Sequence, residues 1–281
     1  MKINLRNVTL CVADCITPTL SLKAIEKSQS LCNFNDAIIF TDSKINSNFC
    51  KVIPVEKIKS TQEYSQFILK KLNAYINTDF ALIIQWDGYV LDASAWHDCF
   101  TEYDYIGAKW AWHKDGFNVG NGGFSLRSKR LLDATSDPKF IANPVSPEDE
   151  QICRANRAFL TNQFGIKFAS ENIADLFSYE RTFLDKPTFG FHGLFNMHRH
   201  CNDQEMLSML NEVAPRTCNS REFIELMFCY YAAKKYAIVR LMYLRNQTVE
   251  TVDEFKSRVR NLLNNDALTN SFCNVCESLI Q

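Results

Sequence analysis

Phe80-Ala81-Leu82-Ile83-Ile84-Gln85-Trp86-Asp87-Gly88 decides how this chain is read. Five consecutive apolar residues without polar alternation describe a strand covered on both faces, the pattern of a central strand in a parallel sheet. The run ends at Gln85-Trp86-Asp87-Gly88, so one carboxylate falls at the strand's carboxyl end, where open α/β sheets bind their ligands. Further on, Asn118-Val119-Gly120-Asn121-Gly122-Gly123-Phe124-Ser125-Leu126-Arg127 sets three glycines in four positions, a backbone that another group can approach closely.

Working back from this strand, residues 8–13 (Val-Thr-Leu-Cys-Val-Ala) read as a first strand ending in Asp14. A helix over 17–27, a strand over 37–40 ending in Thr41-Asp42-Ser43, and a short strand at Val52-Ile53-Pro54 follow. Ser60-Thr61-Gln62-Glu63 is a capping box. It opens a helix whose apolar stripe is Tyr64, Phe67, Ile68, Leu72, Tyr75 and Ile76. This alternation predicts an α/β fold with a mixed, mainly parallel sheet flanked by helices. No Gly-x-Gly-x-x-Gly follows the first strand and no Walker loop occurs, which argues against classical dinucleotide and P-loop binding. Asp14 and Asp42 each end a strand; they either grip a base or ribose or cap the following turns.

Working forward, Trp96, Tyr103, Tyr105, Trp110 and Trp112 crowd the interval between the two segments, as core or as a sugar-stacking surface. Ser146-Pro147-Glu148-Asp149-Glu150 starts another helix. Its cap, proline and first-turn acids are what a helix terminus wants, although three adjacent acids exceed that need. A strand over 165–169 and a helix over 172–177 lead to Phe189-Gly190-Phe191-His192-Gly193, a histidine set between glycines. From Asp203 only helices are predicted: one over 220–244, one after the capping box Thr251-Val252-Asp253-Glu254, and a last over 267–279. Residues 1–200 thus read as the chemical domain and 201–281 as a helical region without a chemical motif.

The composition narrows the field. With 281 residues and 46% of them hydrophobic, the chain can bury a full core, and its net charge of −1 advertises no nucleic-acid surface. Residues 1–7 lack the apolar core and cleavage site of a signal peptide. No run of eighteen uncharged apolar residues occurs, since 223–244 holds Lys234, Lys235 and Arg240, so no transmembrane segment is expected and the expected location is cytoplasmic. Eleven scattered cysteines read as reduced, mostly buried thiols. Cys273-Asn274-Val275-Cys276 has the spacing of half a zinc site whose other half is missing.

In order, these landmarks resemble the GT-A glycosyltransferases. They are more closely similar to a family of bacterial and viral glycosyltransferases whose signature reads roughly QxDG, DYIGAxW, GNGGFSLRS, EDxxIC and FGFHG. The matching stretches are Gln85-Trp86-Asp87-Gly88, Asp104-Tyr105-Ile106-Gly107-Ala108-Lys109-Trp110, the run from Gly120 through Ser128, Glu148-Asp149-Glu150-Gln151-Ile152-Cys153 and Phe189-Gly190-Phe191-His192-Gly193. The resemblance spans roughly residues 8–196 and leaves out the helical tail.

It implies transfer of a sugar from a nucleotide donor, UDP by family analogy, to a glycan or related hydroxyl acceptor. Asp87 and His192 are then ligands of a divalent cation, Mn²⁺ or Mg²⁺, that stabilises the diphosphate leaving group. Gln85 stands where such enzymes usually carry a first acid, and it binds the donor by a hydrogen bond to ribose or an adjacent group. Asp149, with Glu148 second, is the base that takes the acceptor proton. Asn121, Gly122 and Gly123 line the donor sugar, and Ala13, Asp14 and Asp42 hold the nucleoside. Inversion follows from a carboxylate base; retention remains open if Glu148 and Asp149 bind sugar hydroxyls instead. Two other classes stay in view: a metal-dependent nucleotidyltransferase, and a non-catalytic glycan-binding or assembly module on a degenerate transferase scaffold, which Gln85 favours.

Overall fold

The computed structural model describes residues 2–280 and divides into two compact units, the first ending at His192 and the second beginning at Gly193. In the first unit, β1 (Ile3–Ala13), α1 (Pro18–Leu31), β2 (Cys32–Thr41), β3 (Lys51–Pro54), α2 (Thr61–Gln66) and β4 (Phe80–Ile84) follow one another along the chain. They are followed by β5 (Tyr105–Ile106), β6 (Phe124–Ser128), α3 (Lys129–Ser136), α4 (Glu148–Glu150), α5 (Arg157–Phe164), α6 (Glu171–Phe177), β7 (Ser178–Tyr179) and β8 (Gly190–Phe191). The main sheet has the order β3-β2-β1-β4-β6-β5. Its first four strands are parallel, and β6 runs antiparallel to both neighbours. The chain is therefore an α/β protein with a mainly parallel sheet flanked by helices.

β4 occupies the bounds its sequence predicts, and every residue in it is buried. β1 and β6 pair along its edges while helices cover its faces, so the continuous apolar run has nowhere to meet water. Ala81 and Ile83 pack with Phe67, Ile68 and Leu72 beyond α2, and with Leu132 of α3. Each such Ile or Leu contributes about 1.5–3 kcal/mol by leaving water. A π-turn at Phe67–Lys71 extends α2. Through it Leu69 joins a second cluster, with Tyr105, Trp110, Leu131 and Ile152.

β1 and β2 are longer than predicted. α1 passes into β2 without a loop, and their outer halves alternate buried with exposed residues, a weaker signal than a solid apolar run. The strand predicted over 165–169 reduces to a single bridge between Tyr105 and Phe168.

In the second unit, a 3-10 turn at Leu194–Arg199 precedes α7 (Asp203–Glu212), α8 (Arg221–Ala232), α9 (Tyr236–Asn246), α10 (Val252–Leu263) and α11 (Asp266–Ser278). The single helix predicted over 220–244 is two. Lys234 takes the left-handed conformation, with φ of 57°, and folds the chain back so that α8 and α9 pack together. Phe255 and Phe272 meet in the core of this unit, with ring centroids 6.0 Å apart. The Thr251–Glu254 capping box closes reciprocally at the start of α10. Cys273 and Cys276 lie buried on α11, where burial pushes the Cys273 thiol up to about 11, and no disulfide forms among the described residues. No helix among the described residues is long and apolar enough to cross a membrane.

Candidate active site

The antiparallel course of β6 builds the site. Because Ile84 pairs with Phe124, the glycine-rich loop ahead of β6 lies beside the turn that follows β4. The Gln85 amide donates to the Gly123 carbonyl at 2.9 Å, and the Gly88 amide closes the turn on the Gln85 carbonyl at 3.0 Å. β8 then docks alongside, with the Leu91 amide donating to the Phe189 carbonyl at 2.8 Å. β7 and β8 are parallel and pair Tyr179 with Phe191. The next residues along them, Glu180 and His192, meet through Oε1 and Nδ1 at 3.2 Å.

What approaches the glycines closely is the protein itself. A Cβ on Gly123 would fall within the His192 imidazole, and one on Gly122 would strike the Glu148 carboxylate. The loop is glycine-rich so that these two side chains can pack against its backbone.

His192 is the electrostatic centre. Its Nε2 lies 3.5 Å from Asp87 Oδ1 and 3.2 Å from Gln85 Oε1, and its Nδ1 faces Glu180 and, at 3.1 Å, the Asn121 amide nitrogen. Burial alone would lower its pKa, but the Asp87 and Glu180 carboxylates dominate and push it up to about 10. The pocket thus wants a positive charge between its acids.

The donor set also fits a hard cation. Asp87 Oδ1, Gln85 Oε1 and His192 Nε2 are spaced like neighbouring ligands of an ion with bonds of about 2.1 Å, and a carboxylate on the far ring nitrogen is what orients ligating histidines. Among the described residues no group of three His, Cys, Asp or Glu side chains is arranged to hold a metal alone. A cation here would therefore draw on the Gln85 amide and on its substrate.

Glu148 and Asp149, adjacent in sequence, do different things. Glu148 is buried and binds Arg127 through both oxygens, at 2.6 and 2.9 Å. Burial pushes its carboxyl up while Arg127 pulls against that shift. Both oxygens of Glu148, the second choice of base, are thus engaged by a buried guanidinium. Asp149 accepts from the Gly122 amide and from the Glu150 amide, each at 2.9 Å, and each oxygen keeps a lone pair. A π-turn at Gln151–Ala155 follows these acids directly.

A cleft of about 260 Å³ opens among these groups. Gln85, Asn121, Gly122, Gly123, Asp149, Glu180 and His192 line it, joined by Trp110, Trp112 and, from α2, Tyr64 and Ser65. Among the described residues, no lysine or arginine does. Of the aromatic cluster, Tyr105 is core and Trp96 packs edge-on against Phe100 and Phe189.

Ala13, Asp14 and Asp42 do not line the cleft. Asp14 accepts from the Ile16 and Thr17 amides and from the Thr17 and Ser21 hydroxyls, so its carboxylate closes the turn that leads into α1. These bonds are the ones that the turn-capping alternative for Asp14 calls for. Asp42 stands 4.0 Å from Lys57. Arg127, Glu180, Tyr64 and Ser65 carry no site role in the sequence reading. Arg127 sits inside a strand motif, Tyr64 and Ser65 inside an amphipathic helix, and Glu180 carries no motif at all.

A mainly parallel α/β sheet with an acid-lined cleft at its carboxyl edge defines the class. The chain belongs to the family described as Protein of unknown function (DUF5672), which matches residues 47–192. No curated protein matches it. Among solved structures it is similar to a glycosyltransferase involved in the glycosylation of the major capsid of PBCV-1, with a TM-score of 0.38 and 11% identity, covering 66% of this chain and 91% of that one. It is also similar to the apo-form glycosyltransferase GlyE of Streptococcus pneumoniae TIGR4, with a TM-score of 0.39 and 11% identity, covering 73% of this chain and 56% of that one. This chain thus spans little more than half of the GlyE chain. Overlaps this loose carry no functional weight.

Proposed function

We propose that the protein is a glycosyltransferase that moves a sugar from a nucleotide donor, UDP by family resemblance, to a hydroxyl of a glycan or related acceptor. The observation that carries this reading is a cleft lined by Asp149, Glu180 and His192, with Asp87 3.5 Å from the His192 ring and no lysine or arginine among the described lining residues. A diphosphate entering a site rich in carboxylates needs positive charge that the protein does not supply as basic side chains.

Asp87 and His192 would hold a divalent cation, with Gln85 as a neutral third donor and Glu180 orienting the imidazole. When bound, that cation would supply stabilisation of the charge that develops on the departing diphosphate. Asp149 would accept the proton of the acceptor hydroxyl as its oxygen bonds to the anomeric carbon and the bond to the diphosphate breaks. The Gly122 amide fixes Asp149, and Arg127 fixes Glu148 one residue before it. Attack with a carboxylate base from the far side inverts the anomeric centre.

Calorimetric titration of UDP with and without Mn²⁺ tests the reading. UDP is expected to bind only with Mn²⁺, and Asp87→Asn is expected to abolish that binding while the melting temperature holds. Metal-independent UDP binding, or binding unchanged in Asp87→Asn, would remove the metal assignment. Preference for a nucleoside triphosphate would indicate a nucleotidyltransferase, and indifference to nucleotides a glycan-binding module.

A further inference from the structure

The cleft contains polar atoms that this transfer chemistry leaves unused. Ser65 is 1% exposed and its Oγ has no hydrogen-bonding partner; Asn121 is 4% exposed and its Oδ1 has none. Tyr64 brings its hydroxyl to the same wall beside Gln85 without meeting a partner in hydrogen-bonding geometry. All three residues line the cleft. A helical serine ordinarily returns its hydroxyl to the carbonyl four residues back, as Ser28 does to Ala24 at 2.9 Å, and Ser65 does not. Buried polar groups are costly to leave unpaired, so three in one cleft point to a ligand that pairs them.

Two further observations specify that ligand. Trp112 is 56% exposed and lines the cleft beside Trp110, offering an apolar face to the C–H side of a sugar ring. The charge lining the cleft is acidic: Asp149 and Glu180 are there, Glu148 is neutralised by Arg127, and His192 is held between Asp87 and Glu180. A carboxylate-bearing sugar would meet like charge with no guanidinium or ammonium to receive it.

We infer that Tyr64, Ser65 and Asn121, with Trp112, form a subsite for an uncharged pyranose, and that the surrounding carboxylates exclude uronic acids from it. The inference deepens the transferase reading by naming the class of sugar, but the binding it describes does not require the nucleotide.

Saturation-transfer NMR on the full chain with methyl α-glucopyranoside, methyl α-galactopyranoside and glucuronic acid tests it. At least one neutral pyranoside is expected to show saturation, and glucuronic acid none. Ser65→Ala and Tyr64→Phe are each expected to weaken the neutral sugar roughly two- to tenfold, the range of one lost hydrogen bond. Equal saturation of glucuronic acid, no saturation of either neutral sugar, or full binding in both variants would overturn the inference. Calorimetry with Mn²⁺ and UDP separates the two claims. Nucleotide binding without neutral-sugar binding sinks the subsite alone, whereas neutral-sugar binding without nucleotide binding leaves the subsite and sinks the transferase.

Discussion

Two acid–base pairs stand close together in the first unit, and they are built for opposite ends. Arg127 and Glu148 are buried, doubly hydrogen-bonded at 2.6 and 2.9 Å, and supported further by the Ser125 hydroxyl on Arg127 Nε at 3.0 Å. Asp87 and His192 are 3.5 Å apart with side chains 14% exposed, and His192 divides itself among several neighbours. The first pair is closed and holds the acidic helix start against the glycine loop. The second is loose enough to exchange its internal contacts for a ligand. Proximity of opposite charges does not by itself mark a functional site; unfinished geometry does.

Removing Arg127 tests the closed pair most severely. Arg127→Ala strands the Glu148 charge in the core and is expected to cost about 3–5 kcal/mol, lowering the melting temperature by on the order of 10 °C. Replacing both partners together, Arg127→Met with Glu148→Leu, is expected to recover most of that loss. A double variant as unstable as the single one would show that the pair does more than satisfy its own charges.

Next in size is Asp149→Asn, which cannot take a proton and whose single carbonyl oxygen keeps one of the two backbone hydrogen bonds. Transfer is expected to slow by about 10²–10⁴-fold with donor affinity unchanged. Equal loss of donor affinity would move Asp149 from base to substrate ligand.

The smallest effect concerns Asp104, which like Glu148 is a buried acid held by hydrogen bonds. Burial alone would raise its pKa. Hydrogen bonds from Arg130, from the Ser128 hydroxyl and from the Lys167 amide outweigh that and hold it below the usual carboxylate range. A carboxyl depressed in the folded state stabilises above its unfolded pKa, and that contribution is lost as pH falls through the folded value. Urea melts at pH 6 and pH 3 are expected to differ less in Asp104→Asn than in the parent chain. An identical difference would mean that Asp104 takes no part in acid sensitivity.

The sequence spoke most clearly where burial was complete. The apolar run of β4 marks its own ends, and the Thr251–Glu254 box marks the start of α10, because local chemistry decides both. It spoke least where tertiary register decides. Nothing in Tyr179-Glu180-Arg181 announces Glu180, which reaches His192 only because β7 and β8 pair in one particular alignment. The break between α8 and α9 carries neither glycine nor proline; Lys234 turns left-handed because the two helices gain by folding together. The divergence of Glu148 from Asp149 was equally hidden, since only Arg127 on a distant strand distinguishes them. Asp14 was read both ways, and the hydroxyls of Thr17 and Ser21 bond to it as the turn-capping alternative calls for.

The π-turn at Gln151–Ala155 has a lasting consequence for how this chain tolerates length changes. Such a turn is an α-helix carrying one surplus residue. Excising that residue would let the segment rewind regularly, yet it would rotate everything upstream by about 100°, the angle one residue subtends in an α-helix. Asp149 would then swing off the Gly122 amide while Ile152 and Cys153 stayed seated below. A one-residue deletion here would therefore part Glu148 from Arg127 and Asp149 from Gly122 in the same stroke.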